Sequence, residues 1–517
     1  MPTESALESA AQPQSPAFWL TIGIYVLVLI CIAVFTGRST KSIKDLTVGG
    51  RNAGAWLSAL SYGTAYFSAV MFIGYAGSTG YGFGLWGVLA GIGNTIFGSL
   101  VAWLLLAKRS RQLAHDYDLH TMPEFLEKRY GSRALKLFAC IITFVFFVPY
   151  SASVYKGLGS IASVLLGIDD TLFMVIIAVL AAILLFFGGY LAQARADFVQ
   201  GIIMMGGIAL LIVFVIRADK VGGVEGLLAY AKSAQGLPKL AGKQWGALLS
   251  LVFMTSFGTW GLPHMLQKFF GIKTESQAKR GIVISTFFAL LVAGGGYFIG
   301  SLCHAFYSAA DLEGFQGKYG ASFKDYIVPH MLADAHIPAV LLGIVMVLLV
   351  AASVSTLCSV TLTASSTLVL DFFKTVRKGN TEVNPKRWQL GVQLACVVFV
   401  IVSYVVANTD TPILDLMSYS WGIISGSFLA PYLMALYYKK TGKAGAWAGV
   451  GTGFAIAFVP LFCKILTEFG AAGKVAEIAG QGTQYATIAM LASTLVCFAV
   501  SAVVGRAKAQ QAQPAAE

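Results

Sequence analysis

Thirteen long apolar runs separated by short polar connections organise this chain, at about 18–36, 53–78, 84–107, 135–164, 171–190, 196–216, 246–270, 281–307, 337–370, 388–407, 413–437, 443–464 and 484–504. A helix rising about 1.5 Å per residue needs about 20 apolar residues to cross a bilayer. The pattern therefore predicts an all-α polytopic membrane protein with thirteen transmembrane helices. A barrel is disfavoured by the same pattern, because its strands would alternate apolar and polar positions. The 337–370 run exceeds one crossing and is expected to tilt or to extend into the cytoplasm. Polar stretches are longest at 108–134, 217–245, 308–336, 371–387 and 465–483, and a surface helix is expected near Val224–Lys232.

Charge orients this pattern. Placing the N-terminus outside puts 26 of the 36 Lys and Arg residues in segments that face the cytoplasm and nine outside, with Lys156 left inside a span. Basic residues concentrate on cytoplasmic loops, so the asymmetry predicts an external N-terminus and a cytoplasmic C-terminus. Residues 1–17 hold Glu4 and Glu8 and no basic residue, while Arg38, Lys41 and Lys44 follow the first run. That order fits a retained first helix with an external tail rather than a cleaved signal peptide. The Ala/Gln-rich end, from about residue 507, is expected to be a disordered cytoplasmic tail.

Composition narrows the function classes. Charged residues make up 12% and hydrophobic residues 57%, against roughly 25% charged in a soluble globular chain. A soluble enzyme, a disordered chain and a nucleic-acid binder are excluded; the net charge of +12 belongs to loops beside a membrane. Six His and seven Cys are scattered, and His115 and His120 beside Asp116 and Asp118 are too loosely arranged for a metal site. There is no HExxH, no GxSxG and no phosphate-binding glycine loop, so no enzyme is predicted.

Polar and glycine residues inside apolar runs mark where a membrane helix can break and turn backbone groups toward a cavity. Ser58–Ala69 carries Gly63 among Ser61, Thr64 and Ser68. Small residues of this kind pack helices together or form a broken site. In Ala351–Ser366 eight of sixteen residues are Ser or Thr, and 352, 355, 356 and 359 share one helical face. Such hydroxyls bond back to their own helix or offer hard oxygen ligands to Na⁺. Thr255–His264 holds Gly258, Gly261 and Pro263, which predict a bend, with Phe257, Trp260 and His264 placed to line it. Leu416–Ser427 is again small, hydroxylated and aromatic, with Tyr419 and Gly426. Asp197 and Lys156 are charges within or at the ends of spans, where a charge needs a partner or a wet cavity; Lys156 otherwise snorkels to a headgroup.

The order of several short segments resembles the sodium:solute symporter family over about 450 residues. The matching segments are Gly49-Gly50-Arg51, Leu60–Ser68, Thr121–Tyr130, the Gly188–Gln200 stretch with Asp197 and Gln200, Gly261-Leu262-Pro263-His264 and Ala351–Leu357. The resemblance implies a core of two inverted five-helix repeats, about 53–216 and 246–437. One extra helix (18–36) would precede it, two (443–504) would follow, and tails would occupy 1–17 and 505–517. It implies a sodium-coupled symporter that imports a small organic solute by alternating access across a bacterial inner membrane. Na⁺ would be the coupling ion, with the lipid bilayer and a small-molecule substrate as partners and no obligate protein partner. It places a main sodium site on the Thr64, Phe67 and Ala352 carbonyls and the Ser355 and Thr356 hydroxyls. A second site would use Asp197, Ser355, Cys358 and Ser359, although Cys358 stands where serine is expected and a thiol is a poor ligand for a hard cation.

Substrate positions depart from the family's proline transporters. Their Asp after the first break is Tyr66 here, and their aromatic pair in the seventh helix is Thr255 and Thr259. Candidate substrate residues are Tyr66, Ser68, Ser153, Lys156, Phe257, Trp260 and Tyr419, with Lys156 suited to a carboxylate. A small organic acid or amino acid is expected. Two alternatives stay open: a sodium-independent or proton-coupled transporter, with a lysine in place of the ion, and a transporter-like sensor acting with a separate partner.

Overall fold

Every predicted apolar run is mainly helical where it is described, with interruptions at Phe67–Ser68 and Gly261–Leu262. The computed structural model describes residues 16–37, 51–376 and 385–511. Glu4, Glu8, Arg38, Lys41, Lys44, Gly49, Gly50, Arg377, Lys378 and the last six residues lie outside the described residues. Among the described residues, nine helices are long and apolar enough to cross a membrane, and the bent pair Gly242–Trp260 and Pro263–Phe270 makes a tenth. Phe18–Ile32 and Asp170–Ile183 are shorter apolar helices. The expected connection near residue 195 is itself helical, so Asp170–Arg217 runs without interruption. Its Ala-rich middle, Leu191-Ala-Gln-Ala-Arg-Ala196, has no residue that stops a helix. The polar stretch after it contains the expected surface helix, Gly223–Lys232.

Two helices form the centre. Ala339–Ser366 is buried along nearly its whole length, and so is Ile413–Tyr437. Large apolar side chains on the outer helices remain exposed, among them Leu27, Leu172, Val283, Phe287, Leu394 and Leu495. An outward apolar face around a polar-studded centre is the arrangement that lipid demands.

Breaks occur where the small residues predicted them, though not at the same residue. The first helix stops at Tyr66, three residues beyond Gly63, and the chain re-enters helix at Val70–Tyr75 and Ala76–Phe83. Gly63 stays helical, and its bare face admits the Phe288 ring, which a Cβ there would meet at 2.4 Å. The second break, at Gly261 and Leu262, bends the chain by 42°. Proline at Pro263 starts the next helix, where its missing N–H costs nothing.

The approaches to these two helices are joined. Ala53 N–H donates to the Gly271 carbonyl (3.1 Å), Lys273 N–H returns to the Ala53 carbonyl (3.0 Å), and the Gln277 amide oxygen accepts from Ala55 N–H (2.8 Å). On the same side the Met122–Tyr130 helix is capped by Thr121 and docked by Arg129, whose guanidinium donates to the Ala435, Tyr438, Lys439 and Thr441 carbonyls.

Candidate ion and solute site

The first break is the end of a hydrogen-bond ladder. Phe67 N–H donates to the Gly63 carbonyl (3.0 Å), and Phe67 itself is extended (φ −107°, ψ 101°). The last carbonyls of a helix have no partner in their own turn. Here two of them are met from other helices. Thr356 Oγ1 lies 3.3 Å from both the Thr64 and Ala65 oxygens and 3.1 Å from the Ala352 oxygen of its own helix. The Tyr150 hydroxyl also donates to the Ala65 carbonyl, at 3.4 Å. One threonine proton cannot satisfy three carbonyls at once. The cluster is therefore rich in acceptors and poor in donors, and Thr64, Ala352 and Thr356 are wholly buried. A hard monovalent cation suits that chemistry.

Thr64, Ala352 and Thr356, three of the residues carried over for a main sodium site, are thus brought together. Phe67 lies at the break, its ring stacked on Tyr66 with centroids 4.1 Å apart. Ser355 turns its hydroxyl toward Asp197 Oδ1 (2.6 Å), with Thr64 Oγ1 at 3.0 Å. Asp197 is fully buried, and its Oδ2 accepts from Ser61 Oγ (2.5 Å) and Lys268 Nζ (3.3 Å). Lys268 also donates to Ser61 Oγ at 2.8 Å. Cys358 is buried one turn beyond Ser355, and Ser359 Oγ meets the Gln193 side-chain amide.

Lys268 corrects the charge reading. Hydropathy placed it with the cytoplasmic charges, two residues from the end of a run, and left Lys156 as the one lysine within a span. The structure buries Lys268 to 3% exposure. It lies on the half-helix after the second break, Pro263–Phe270, next to Gln267 and one turn from His264. Three polar residues on one short half-helix was the available signal.

Beside the first break, Tyr66, Phe67, Ser68, Tyr75, Asn94, Thr255, Tyr297, Met417 and Trp421 line a small cavity. The Tyr66 hydroxyl donates to the Thr255 carbonyl (2.6 Å) and so ties the first break to the helix that carries the second. Ser256 Oγ lies 3.1 Å from Asn94 Oδ1. The Tyr75 hydroxyl is buried without a hydrogen-bond partner, a polar tip that a bound solute can satisfy. The lining offers aromatic faces, hydroxyls and one amide, and it carries no formal charge.

Of the predicted substrate residues, Tyr66 and Ser68 line this cavity and the other five do not. Ser153 bonds back to the Tyr150 carbonyl (2.6 Å), Tyr419 donates to the Ala479 carbonyl (3.0 Å), and Trp260 Nε1 donates to the Phe97 carbonyl (3.0 Å). Phe257 stacks on Phe97 and Phe253. Lys156 directs its ammonium to the Thr409 and Thr411 carbonyls, at a separate vestibule of about 550 Å³ shared with Asp170, Asp325 and Asp410. Tyr75, Asn94 and Tyr297 stand in glycine-containing apolar runs whose pattern reads equally well as helix packing.

A broken helix facing an acceptor-rich cluster in the centre of an all-helical membrane protein marks a secondary transporter. The Sodium:solute symporter family model matches residues 47–453, and the chain belongs to that family. It is a sodium-coupled symporter of a small organic solute, not an enzyme, and a multi-pass protein of a bacterial inner membrane with Na⁺ as coupling ion. A Sodium/proline symporter of Staphylococcus aureus is 28% identical over 462 residues, covering 87% of this chain and 88% of the relative. Among solved structures, a Na⁺-coupled sialic acid symporter in a substrate-bound outward-open state is similar in fold. It aligns with a TM-score of 0.72 over 95% of this chain and 98% of that one, at 16% identity. A nucleobase-cation-symport-1 family transporter in a closed conformation gives a TM-score of 0.52 over 89% and 95%, at 13% identity.

Proposed function

We propose that the protein imports a small amino acid or other carboxylate together with Na⁺, by alternating access around the first helix break. The observation that carries this reading is the meeting of the Thr64, Ala65 and Ala352 carbonyls with the Thr356 hydroxyl. These oxygens, with Phe67 and Ser355, hold the ion, and the cavity from Tyr66 to Trp421 holds the solute. Ser68, Val70 and Met71, at the start of the half-helix after the break, line that cavity, and a helix N-terminus favours an anionic group. The relatives named for proline support an amino-acid substrate, whereas Tyr66, Thr255 and Thr259 favour one other than proline. Ion and solute share one discontinuous helix, so sodium binding fixes the backbone against which the solute packs. Coupling of this kind is reciprocal: a solute that binds tighter with Na⁺ tightens Na⁺ by the same factor.

The wider architecture in this reading is an external N-terminus, a cytoplasmic C-terminus and two inverted repeats at 53–216 and 246–437. The likeness to the sialic acid symporter over nearly the whole chain and the two matching breaks support it. Lys156 acts at the outer gate, holding the connection before Ile413. The test is uptake of labelled amino acids, monocarboxylates and sugars into proteoliposomes under an inward Na⁺ or K⁺ gradient. Accumulation with Na⁺ alone is expected; equal accumulation with K⁺ overturns the reading.

A further inference from the structure

The cage around Asp197 matches the residues of a second sodium site, yet it does not fit a second sodium. Its centre already holds a cation. Lys268 Nζ lies 2.8 Å from Ser61 Oγ and 3.3 Å from Asp197 Oδ2. The Gln193 side chain, with its amide turned so that the carbonyl oxygen faces the ammonium, accepts at 3.2 Å. These three oxygens come from two helices, Ser61 from Ala55–Tyr66 and Gln193 and Asp197 from Asp170–Arg217, and Ser355 of a third donates to the remaining carboxylate oxygen at 2.6 Å.

We propose that the Lys268 ammonium is a tethered substitute for a second sodium ion, so that the protein binds and carries one Na⁺ per solute. Charge balance supports this. Asp197 and Lys268 neutralise each other in a wholly buried position. An added Na⁺ would leave a net positive charge in the membrane core within a few ångströms of the ammonium, where like charges repel with little screening. Cys358, in the place of the expected serine, also subtracts a hard ligand. Lys268 reaches the cage from the half-helix after the second break, while Ser61 lies on the half-helix before the first. The tethered cation therefore binds the two inner half-helices together in every step of the cycle, whereas a free ion would leave.

The inference rests on the sodium-coupled reading and can fail separately from it. The experiment counts ²²Na⁺ bound per purified protein at saturation, for wild type, Lys268→Ala and the double variant Lys268→Ala/Asp197→Asn. Removing the side chain opens the cage toward the adjoining polar cavity at His264, Gln267 and Thr363, which gives room for an ion and water. One Na⁺ is expected in wild type, two in Lys268→Ala, and one again in the double variant. Two in wild type, or a monodisperse Lys268→Ala that binds no more than wild type, overturns the inference and leaves sodium coupling standing. None in wild type and one in Lys268→Ala overturns the coupling reading and supports the tethered cation. Should Lys268→Ala not fold, the wild-type count decides alone: one supports the proposal and two rejects it.

Discussion

Replacing Thr356 with valine tests the ion cluster most directly. The substitution keeps the branched shape and removes one oxygen that lies 3.1–3.3 Å from three carbonyl oxygens. A polar contact to a charged group contributes about 1.5–3 kcal/mol, which corresponds to roughly 10- to 150-fold in affinity. The half-saturating Na⁺ concentration for uptake should rise by that factor. Thermal unfolding of the purified protein provides a second readout. A ligand at 100 times its Kd stabilises by about 2.7 kcal/mol, and at ten times its Kd by about 1.4 kcal/mol. The Na⁺-induced increase in Tm should therefore fall by about half or more in Thr356→Val. Unfolding without Na⁺ measures separately the cost of leaving the Thr64, Ala65 and Ala352 carbonyls without the hydroxyl. The reasoning fails if Na⁺ stabilises wild type and variant equally, or if half-activation moves by less than twofold.

Other perturbations follow from the same geometry. Lys156→Met removes the ammonium from the Thr409 and Thr411 carbonyls; equilibrium binding should stay within threefold while Tm falls, and a tenfold loss of affinity for an anionic solute would instead place the lysine on the solute. Gly80→Ala should abolish folded yield, because its Cβ would lie 1.8 Å from the Gly300 carbonyl oxygen, whereas Gly82→Ala, with nothing within 4 Å, should express normally; comparable gel-filtration profiles would contradict this. Asp325, on the Lys324–Asp334 helix, accepts from Ile413 N–H at 3.0 Å, and burial raises its carboxyl to about 7 against the pull of that bond and of Lys156. The folded protein then holds the extra proton between about pH 4 and pH 7, so stability falls as pH rises through that window. Asp325→Asn should flatten the fall, and superimposable Tm profiles from pH 4.5 to 7.5 would count against the assignment.

Hydropathy and small-residue clusters located the helices and both breaks, because each depends on a local run of side chains. The hydroxyl face of Ala351–Ser366 was legible for the same reason, and Thr356 falls within it. What the pattern could not supply was pairing between distant segments. Lys268 looks like a loop charge until Asp197, 71 residues away in sequence, is placed 3.3 Å from it. Lys156 reads as a charge within a span, and nothing in the pattern points to the Thr409 and Thr411 carbonyls, more than 250 residues away, that meet its ammonium. Ser355 carried a sodium role by resemblance, and its hydroxyl direction depends on which neighbour a third helix supplies. Span 171–190 was separated from 196–216 by hydropathy alone, which registers Arg195 but not that its neighbours continue the helix.

The backbone joint at Ala53 has a mechanical consequence. Its two bonds to Gly271 and Lys273 splice the adjoining ends of both broken helices into a single stiff beam. The compliant points are then the interruptions at Phe67–Ser68 and Gly261–Leu262, and a rotation at one must appear as torque at the other. Because the splice is made of peptide groups, side-chain drift at positions 53, 271 and 273 leaves it intact. Proline at Ala53 or Lys273, which lacks the N–H, is the kind of change that would let the two levers swing independently.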